Sequence, residues 1–314
     1  MGPRIDRRRA LALAGGAVLA ACDRKGDAPA SSSTAHATAS APAHPESGDW
    51  RALDFPKGEG TPEGQRALLF TPEGARDLPV LIALHGRGES GRGLDVGARG
   101  WRDDYGLELV HRRLRQPPLA ARDVGELITD ERLARINASL AAHAYRGLAV
   151  ACPYTPDLPD RTIPGAAGFA RFLLDGLLPR VRAEAGAGLD RAATGIDGVS
   201  MGGRLALFVG LANPQVFGAV GALQPALRID EAEIVAMHAR AAMTVAPIAL
   251  RLVSSDEDPF LPAVRALAAR LKADGVPHEL VVTPGPHDYI WNRGPGAAEM
   301  LVWHDRVLRG LAPP

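Results

Sequence analysis

Short apolar runs alternate with amphipathic stretches along most of this chain. The runs have the length and composition of buried strands and lie at residues 66–70, 80–84, 148–152, 192–199, 219–223, 247–253 and 278–282. Strands that alternate with helices are typical of a parallel or mostly parallel sheet covered by helices on both faces. The pattern therefore predicts an α/β fold for the folded part of the chain.

The stretches between these runs show helical periodicity. Val264, Leu267 and Leu271 share one face of a helix predicted at 263–274, which ends before Gly275. The same periodicity predicts helices at 202–212, at 169–185 with a kink at Pro179, and at 297–308. Most of these apolar faces are expected to pack against the sheet.

The segment between the predicted strands 80–84 and 148–152 is much longer than one crossover helix needs. Helical patterns at 105–114 and 131–143 lie inside it. We predict that residues 90–147 form a helical insertion. It is either a cap over a functional site or a subdomain that packs at the periphery.

The amino terminus has the features of an export signal. Basic residues at 7–9 precede an apolar stretch at 10–21 that is too short to span a bilayer as a mature helix. The stretch ends in Leu-Ala-Ala-Cys, which resembles the lipobox of bacterial lipoproteins, and the basic run resembles a twin-arginine leader. This predicts a signal peptide at 1–21 and lipidation of Cys22. An ordinary cleaved signal and an uncleaved anchor are the alternatives.

Residues 22–48 consist largely of Ala, Pro, Ser and Thr, a composition that buries too little apolar surface to fold. We predict a flexible tether there and one folded domain at 49–314. The expected location is the cell envelope, on the periplasmic or the outer surface, with the membrane as a partner through the lipid anchor.

Charge and cysteine content narrow the possible classes of protein. The 314 residues include 36 basic and 36 acidic side chains, and no basic stripe interleaves with aromatics, so no nucleic acid is expected to bind. Cys152 is the only cysteine after Cys22, which leaves no internal disulfide. Cys152 is interpreted as a small buried hydrophobic residue. No metal or organic cofactor is expected.

Ser200 lies in a G-x-S-x-G pattern that runs from Gly198 to Gly202. An apolar strand-like run precedes it and a helical pattern follows it, which is the context of a nucleophile on a sharp strand-to-helix turn. Residues two positions before and after such a serine are pressed so close that only small side chains fit. The pattern therefore predicts an activated serine.

A serine hydroxyl needs a base and a third group that orients the base. In α/β-hydrolases the three groups follow in the chain order serine, acid, histidine. The preferred acid is Asp258, in a loop after a predicted strand, and Asp256 and Glu257 in the same loop are the alternatives. His287 follows the last predicted strand in a loop of glycine and proline and is the preferred base. Gln224, Tyr289 and Trp291 lie in nearby loops, where they either line a pocket or simply pack.

The tetrahedral intermediate of acyl transfer needs two N–H donors for its oxyanion. One is expected from the backbone N–H of Met201, at the start of the helix after Ser200. The other is expected from Arg87, in the glycine-containing loop after the strand 80–84, and His85 is then a structural histidine of that loop.

These residues resemble the putative esterase family of α/β-hydrolases, which includes S-formylglutathione hydrolases, feruloyl and siderophore esterases, and mycolyltransferases. The resemblance extends from about Leu78 to the end of the chain, and its most specific parts are His85-Gly86, the segment 172–179, the segment 198–203, the segment 258–261 and the segment 285–288. It implies the α/β-hydrolase fold, with Ser200 as nucleophile, Asp258 as acid and His287 as base. It also favours an ester over an amide as substrate.

The sequence thus predicts a serine hydrolase that cleaves a small or polymer-linked carboxylic ester through an acyl-enzyme. Acyl transfer to another acceptor and peptide hydrolysis are alternatives on the same scaffold. A binding module without catalytic activity is the alternative from another class of protein. The charged loop 87–92 and the long insertion are departures from the family pattern, so the substrate can be particular to this protein.

Overall fold

The computed structural model describes residues 48–58, 63–187 and 190–314. The signal peptide predicted at 1–21, Cys22 and the rest of the tether through residue 47 lie outside the described residues. Within the described part of the chain, no helix is long and apolar enough to cross a membrane.

Eight strands form one sheet in the order β1-β2-β4-β3-β5-β6-β7-β8. Strands β1 and β2 are antiparallel to each other, β2 is antiparallel to β4, and all other neighbours are parallel. The strands are β1 Gly48–Phe55, β2 Gln65–Pro72, β3 Val80–Leu84, β4 Ala149–Pro153, β5 Thr194–Gly198, β6 Ala219–Leu223, β7 Ala249–Ser255 and β8 Glu279–Thr283.

Helices connect the strands and cover the sheet. They are α1 Arg87–Ser90, α2 Leu94–Gly97, α3 Leu107–Leu114, α4 Asp130–Ala142, α5 Ala167–Arg171, α6 Leu178–Ala185, α7 Met201–Ala212, α8 Ala232–Val245, α9 Leu261–Ala273, α10 Tyr289–Trp291 and α11 Ala297–Val307. Wider π-type turns lie at Gly100–Asp104, Phe172–Leu177 and Asn292–Gly296.

The sheet separates two apolar cores, one on each face. Successive side chains of a strand point to opposite faces, and in β3 Val80 and Ile82 join one core while Leu81 and Ala83 join the other. Helices α5 to α9 supply buried side chains to the first core, and α3, α4 and α11 supply them to the second. The prediction of an α/β-hydrolase fold with helices on both faces is confirmed.

The predicted strands agree with the observed ones to within about two residues at most ends, and β3 and β6 match at both ends. Strand β1 was not predicted. It lies at the edge of the sheet, and Leu53 is its one buried residue. An edge strand that is mostly exposed has no continuous apolar run, so the sequence pattern gives no signal for it.

The insertion contains both predicted helices, α3 and α4, and they bury Leu107, Val110, Ile136 and Leu140 in the second core. These contacts attach both helices to the body of the domain. The helix predicted at 169–185 is present as α5, a π-type turn and α6. Pro179, where a kink was predicted, lies in the first turn of α6, directly after the π-type turn.

Several charged residues are buried next to the second core. Glu299 of α11 accepts hydrogen bonds from Arg132 of α4 at 2.6 and 2.7 Å and from Arg251 of β7 at 3.0 Å. Asp197 of β5 contacts Nε2 of His304 at 3.0 Å. Pairing of this kind is what makes burial of charge tolerable.

Candidate active site

The predicted catalytic and oxyanion residues lie at one edge of the sheet. The loops that follow β3, β5, β7 and β8 contain Arg87, Ser200, Asp258 and His287 respectively. These strands are parallel, so their carboxyl ends meet at the same edge. In open α/β sheets this edge is where ligands bind.

Ser200 occupies a strained turn between β5 and α7. Its φ of 57° and ψ of −117° lie in a region that residues other than glycine rarely adopt. A Cβ on Gly202 would lie 2.4 Å from the carbonyl oxygen of Leu84, and a Cβ on Gly198 would lie 2.6 Å from Gly202 itself. The close approach expected from the sequence is therefore present on both sides of the serine.

A chain of hydrogen bonds joins Ser200, His287 and Asp258. Ser200 Oγ lies 3.0 Å from His287 Nε2, and His287 Nδ1 lies 3.0 Å from Asp258 Oδ1. If Nδ1 carries the proton and donates it to the carboxylate, Nε2 is free to accept the hydrogen bond from the serine hydroxyl. The serine therefore faces a base that is held in the orientation and tautomer suited to remove its proton.

Asp258 is buried and held by its own loop. Its Oδ2 accepts a hydrogen bond of 2.6 Å from the hydroxyl of Ser254, and its Oδ1 accepts the N–H of Phe260 at 3.0 Å. Asp256 instead accepts the N–H of Gly285 at 2.8 Å. Among the carboxylates that the sequence left in competition, the structure places Asp258 against the imidazole. Ser254 was not identified from the sequence.

Two helix starts lie beside Ser200. Met201 and Arg87 are the first residues of α7 and α1, and the first N–H groups of a helix have no acceptor within the helix. An ideal Cβ on Gly86, the residue before Arg87, would lie 3.7 Å from the Cβ of Ser200. Met201 therefore directly follows the serine, and Gly86, the residue before Arg87, approaches it.

His85 fixes the peptide that contains the N–H of Arg87. Its Nε2 accepts the N–H of Thr155 at 2.8 Å, so the proton lies on Nδ1, which lies 2.9 Å from the carbonyl oxygen of Gly86. Burial lowers the pKa of His85 to about 4, and the imidazole is therefore neutral at pH 7. In a trans peptide the C=O and the following N–H point in opposite directions. Holding the oxygen of Gly86 therefore fixes the direction of the N–H of Arg87.

Glu89 connects the loop after β3 to the loop that contains His287. The buried carboxylate accepts hydrogen bonds from the hydroxyl of Tyr105 and, at 2.7 Å, from the hydroxyl of Tyr289. The hydroxyl of Tyr105 in turn accepts the N–H of Gly86 at 3.1 Å. The hydrogen bond to Glu89, followed by burial, raises the pKa of Tyr289 to about 12. Neither Glu89 nor Tyr105 was identified from the sequence.

An open cleft of about 300 Å³ lies beside Ser200. Its apolar wall consists of Leu158, Met201, Leu205, Phe208, Ala226 and Phe260. Its polar lining consists of Arg87, Asp157, Arg161, Arg204 and Arg228. The cleft therefore presents apolar surface and positive charge beside Ser200.

The other candidate pocket residues have different environments. Trp291 is fully buried and donates its Nε1–H to the hydroxyl of Thr283 at 2.8 Å, and Gln224 is fully buried against Ser255. Both residues pack, and Tyr289 binds Glu89 as described above. Cys152 is buried as predicted, and burial raises the pKa of its thiol. Within the described ranges, no group of three His, Cys, Asp or Glu side chains is placed to hold a metal ion.

Comparison with protein families finds one match. Residues 154–283 match the family described as "Putative esterase". This segment includes Ser200 and Asp258 and ends before His287. The resemblance noted from the sequence is thereby confirmed. No curated protein sequence matches the chain.

Several solved structures of esterases and a related hydrolase have the same fold at low sequence identity. A ferulic acid esterase superposes with a TM-score of 0.61 at 17% identity, covering 83% of this chain and 98% of its own. An S-formylglutathione hydrolase from Staphylococcus aureus gives a TM-score of 0.60 at 14% identity, with coverages of 82% and 99%. An enterobactin esterase from Shigella flexneri gives a TM-score of 0.54 at 18% identity, with coverages of 79% and 57%.

Proposed function

We propose that this carboxylic ester hydrolase, with its α/β-hydrolase fold and its match to an esterase family, cleaves its substrate through an acyl-enzyme on Ser200. His287 acts as general base and then as general acid, and Asp258 orients the imidazole and stabilises its charged form. The N–H groups of Met201 and Arg87 bind the oxyanion. The observation that carries this proposal is the hydrogen-bond chain from Ser200 through His287 to Asp258.

In the first half of the reaction, Ser200 Oγ attacks the ester carbonyl carbon and its proton moves to His287 Nε2. Negative charge collects on the carbonyl oxygen, which the two N–H groups bind more strongly than they bind the neutral carbonyl. The bond between the carbonyl carbon and the leaving oxygen then breaks, and the proton on Nε2 passes to the leaving alcohol. Ser200 now carries the acyl group as an ester.

In the second half, water replaces the alcohol. His287 Nε2 removes a proton from water while the water oxygen attacks the acyl carbon, and the same proton returns to Ser200 Oγ as its bond to the acyl group breaks. The products are a carboxylic acid and free enzyme. Each proton that His287 accepts is later released, so no other reactant is needed.

The test uses the domain 49–314 with short-chain 4-nitrophenyl esters and a fluorophosphonate probe. We expect rapid release of nitrophenolate and labelling of wild-type protein, and a loss of kcat of about 10⁴-fold or more in the variant Ser200→Ala. Ser254→Ala is the matched control, because it removes a nearby hydroxyl that is not placed to attack substrate. It should be labelled and should keep more activity than Ser200→Ala. Turnover that persists in Ser200→Ala would exclude the proposed nucleophile.

We further propose that the protein is exported and held in the cell envelope by a lipid on Cys22. The support is the apolar stretch 10–21 that ends in the lipobox-like Leu-Ala-Ala-Cys. In the full chain, Cys22→Ala should move the protein from the membrane fraction to the soluble fraction, and Cys152→Ala should leave it in place. Membrane attachment that survives Cys22→Ala would contradict the lipid anchor.

A further inference from the structure

The cleft beside Ser200 has an excess of arginine in its lining. Four arginines, Arg87, Arg161, Arg204 and Arg228, face a single carboxylate, Asp157. The chain as a whole has no net charge. This local excess is therefore not a consequence of a basic composition.

Arg204 and the segment just before Arg228 are hydrogen-bonded to the backbone of Ser200. The N–H of Arg204 donates to the carbonyl oxygen of Ser200 at 3.0 Å, one helical turn along α7. The N–H of Ala226, two residues before Arg228, donates to the same oxygen at 3.0 Å. The side chains of all four arginines line the same cleft as Ser200.

The four arginines outnumber the carboxylates that pair with them. Arg87 and Arg161 share the one carboxylate of Asp157, at 2.8 and 3.1 Å. Arg204 pairs with Glu231, and Arg228 pairs with Asp230, both from outside the lining. Four positive and three negative side chains give a surplus of one positive charge.

Three of the four arginines hold their partners weakly. The side chains of Arg87, Arg161 and Arg228 are 68%, 53% and 70% exposed. Ion pairs exposed to water contribute little because water screens them, so a ligand carboxylate can replace the protein carboxylate at little cost. Arg204 is mostly buried, and its Nε has no hydrogen-bond partner among the described residues.

We propose that this cleft selects an ester that also carries a carboxylate, with its apolar part against Leu205, Phe208 and Phe260 and its carboxylate among the arginines. A guanidinium binds a carboxylate through two parallel hydrogen bonds. The surplus of one positive charge suits a carboxylate better than a phosphate monoester, which carries nearly two negative charges at pH 7. This inference rests on the serine hydrolase function proposed above.

The experiment compares 4-nitrophenyl pentanoate with 4-nitrophenyl hemiglutarate, an ester of similar length that ends in a carboxylate. The background for each ester is measured with Ser200→Ala protein, because the free carboxylate of the hemiglutarate accelerates its own hydrolysis. We expect kcat/KM to be about fivefold higher for the hemiglutarate at low ionic strength. Added salt should reduce this preference.

In the variant Arg161→Gln/Arg228→Gln, the ratio of kcat/KM for the hemiglutarate to kcat/KM for the pentanoate should fall towards one. Arg135→Gln is the matched control, because Arg135 is exposed and pairs with Glu131 four residues away, as Arg161 pairs with Asp157. Arg135→Gln should keep the full preference.

Equal kcat/KM for the two esters, or a preference that the double variant keeps, would overturn this inference and leave the esterase function intact. Failure of the proposed function has a different result, because neither ester would then be cleaved faster by wild-type protein than by Ser200→Ala.

Discussion

The imidazole of His85 bridges the loop after β3 and the segment after β4. It accepts the N–H of Thr155 and lies against the carbonyl oxygen of Gly86, whose peptide contains the proposed oxyanion donor of Arg87. Oxyanion donors are effective because they are aimed before the charge develops. His85 is therefore expected to act as a positioning residue and not to touch the substrate.

Replacing His85 tests this role. His85→Phe removes the group that holds the oxygen of Gly86, and we expect kcat for a 4-nitrophenyl ester to fall about 100-fold with little change in KM. His85→Asn, whose amide nitrogen takes the place of Nδ1, should restore part of the rate. The measurement is steady-state kinetics at pH 7.5.

His111→Phe is the control for this series, because His111 is equally buried and lies in the second core against Phe70 and Tyr145. It should change stability and leave kcat within about threefold, as expected for a site without contact to the reacting groups. A similar loss of kcat in both phenylalanine variants would mean that His85 is only structural.

Some residues of the site can be predicted individually, because they stand in sequence motifs with a known chemical role. Ser200 and His287 stand in segments with a recognisable pattern, and Met201 follows from the position of Ser200. Glu89 and Tyr105 act on the site through contacts between segments that are not adjacent in sequence, and Ser254 acts on it through Asp258, four residues along the chain. No local pattern distinguishes such a buried serine, glutamate or tyrosine from ordinary loop and helix residues.

The turn between β5 and α7 depends on the absence of side chains at two positions. Gly202→Ala would place a Cβ 2.4 Å from the carbonyl oxygen of Leu84, and this backbone atom belongs to the central strand β3. Because the strand cannot move away without breaking its pairing with β5, we expect a loss of about 2 kcal/mol or more in the free energy of unfolding. Urea denaturation measures this loss, and esterase activity should fall with it.

Gly168→Ala provides the comparison within the same protein. Gly168 lies in α5, and a Cβ there meets nothing within 4 Å. Alanine is the better helix former by about 1 kcal/mol, so this variant should be as stable as wild type or slightly more stable. If both alanine variants unfold at the wild-type urea concentration, the steric account of the turn is wrong.

Strands and helices could be predicted from the sequence where their burial produces a recognisable pattern of apolar residues. Strands β3 and β6 are buried along their whole length and appear as continuous apolar runs. Strand β1 is mostly exposed, so apolar and polar residues alternate only weakly along it. Its hydrogen-bonded pairing with β2 is what identifies it as a strand. The wide turn at Phe172–Leu177 inside an otherwise helical pattern also has no signature in the spacing of apolar residues.

Three buried histidines make the stability of the whole molecule depend on pH. Burial lowers the pKa of His85 and of His111 to about 4, and it also lowers the pKa of His304. In the unfolded chain these side chains titrate near pH 6.5. Between about pH 6.5 and pH 4 the unfolded state therefore binds protons that the folded state does not bind.

The free energy of unfolding should accordingly be highest above pH 6.5 and should decrease as the pH falls towards 4. His85 and His111 each contribute a slope of up to about 1.4 kcal/mol per pH unit in this window. Urea denaturation at pH 7.5, 6.0 and 5.0 measures the dependence. His111→Phe should reduce the slope. An equal slope in wild type and His111→Phe would show that His111 does not titrate as described.

The direction of β1 determines where the chain enters the folded body. Strand β1 is antiparallel to β2, and β2 is antiparallel to β4, so β1 runs in the same direction as the parallel strands. Gly48 therefore lies at the margin of the sheet where those strands begin, and Ser200 lies at the margin where they end. A group attached to the chain at Gly48 would therefore be attached at the end of the sheet opposite Ser200.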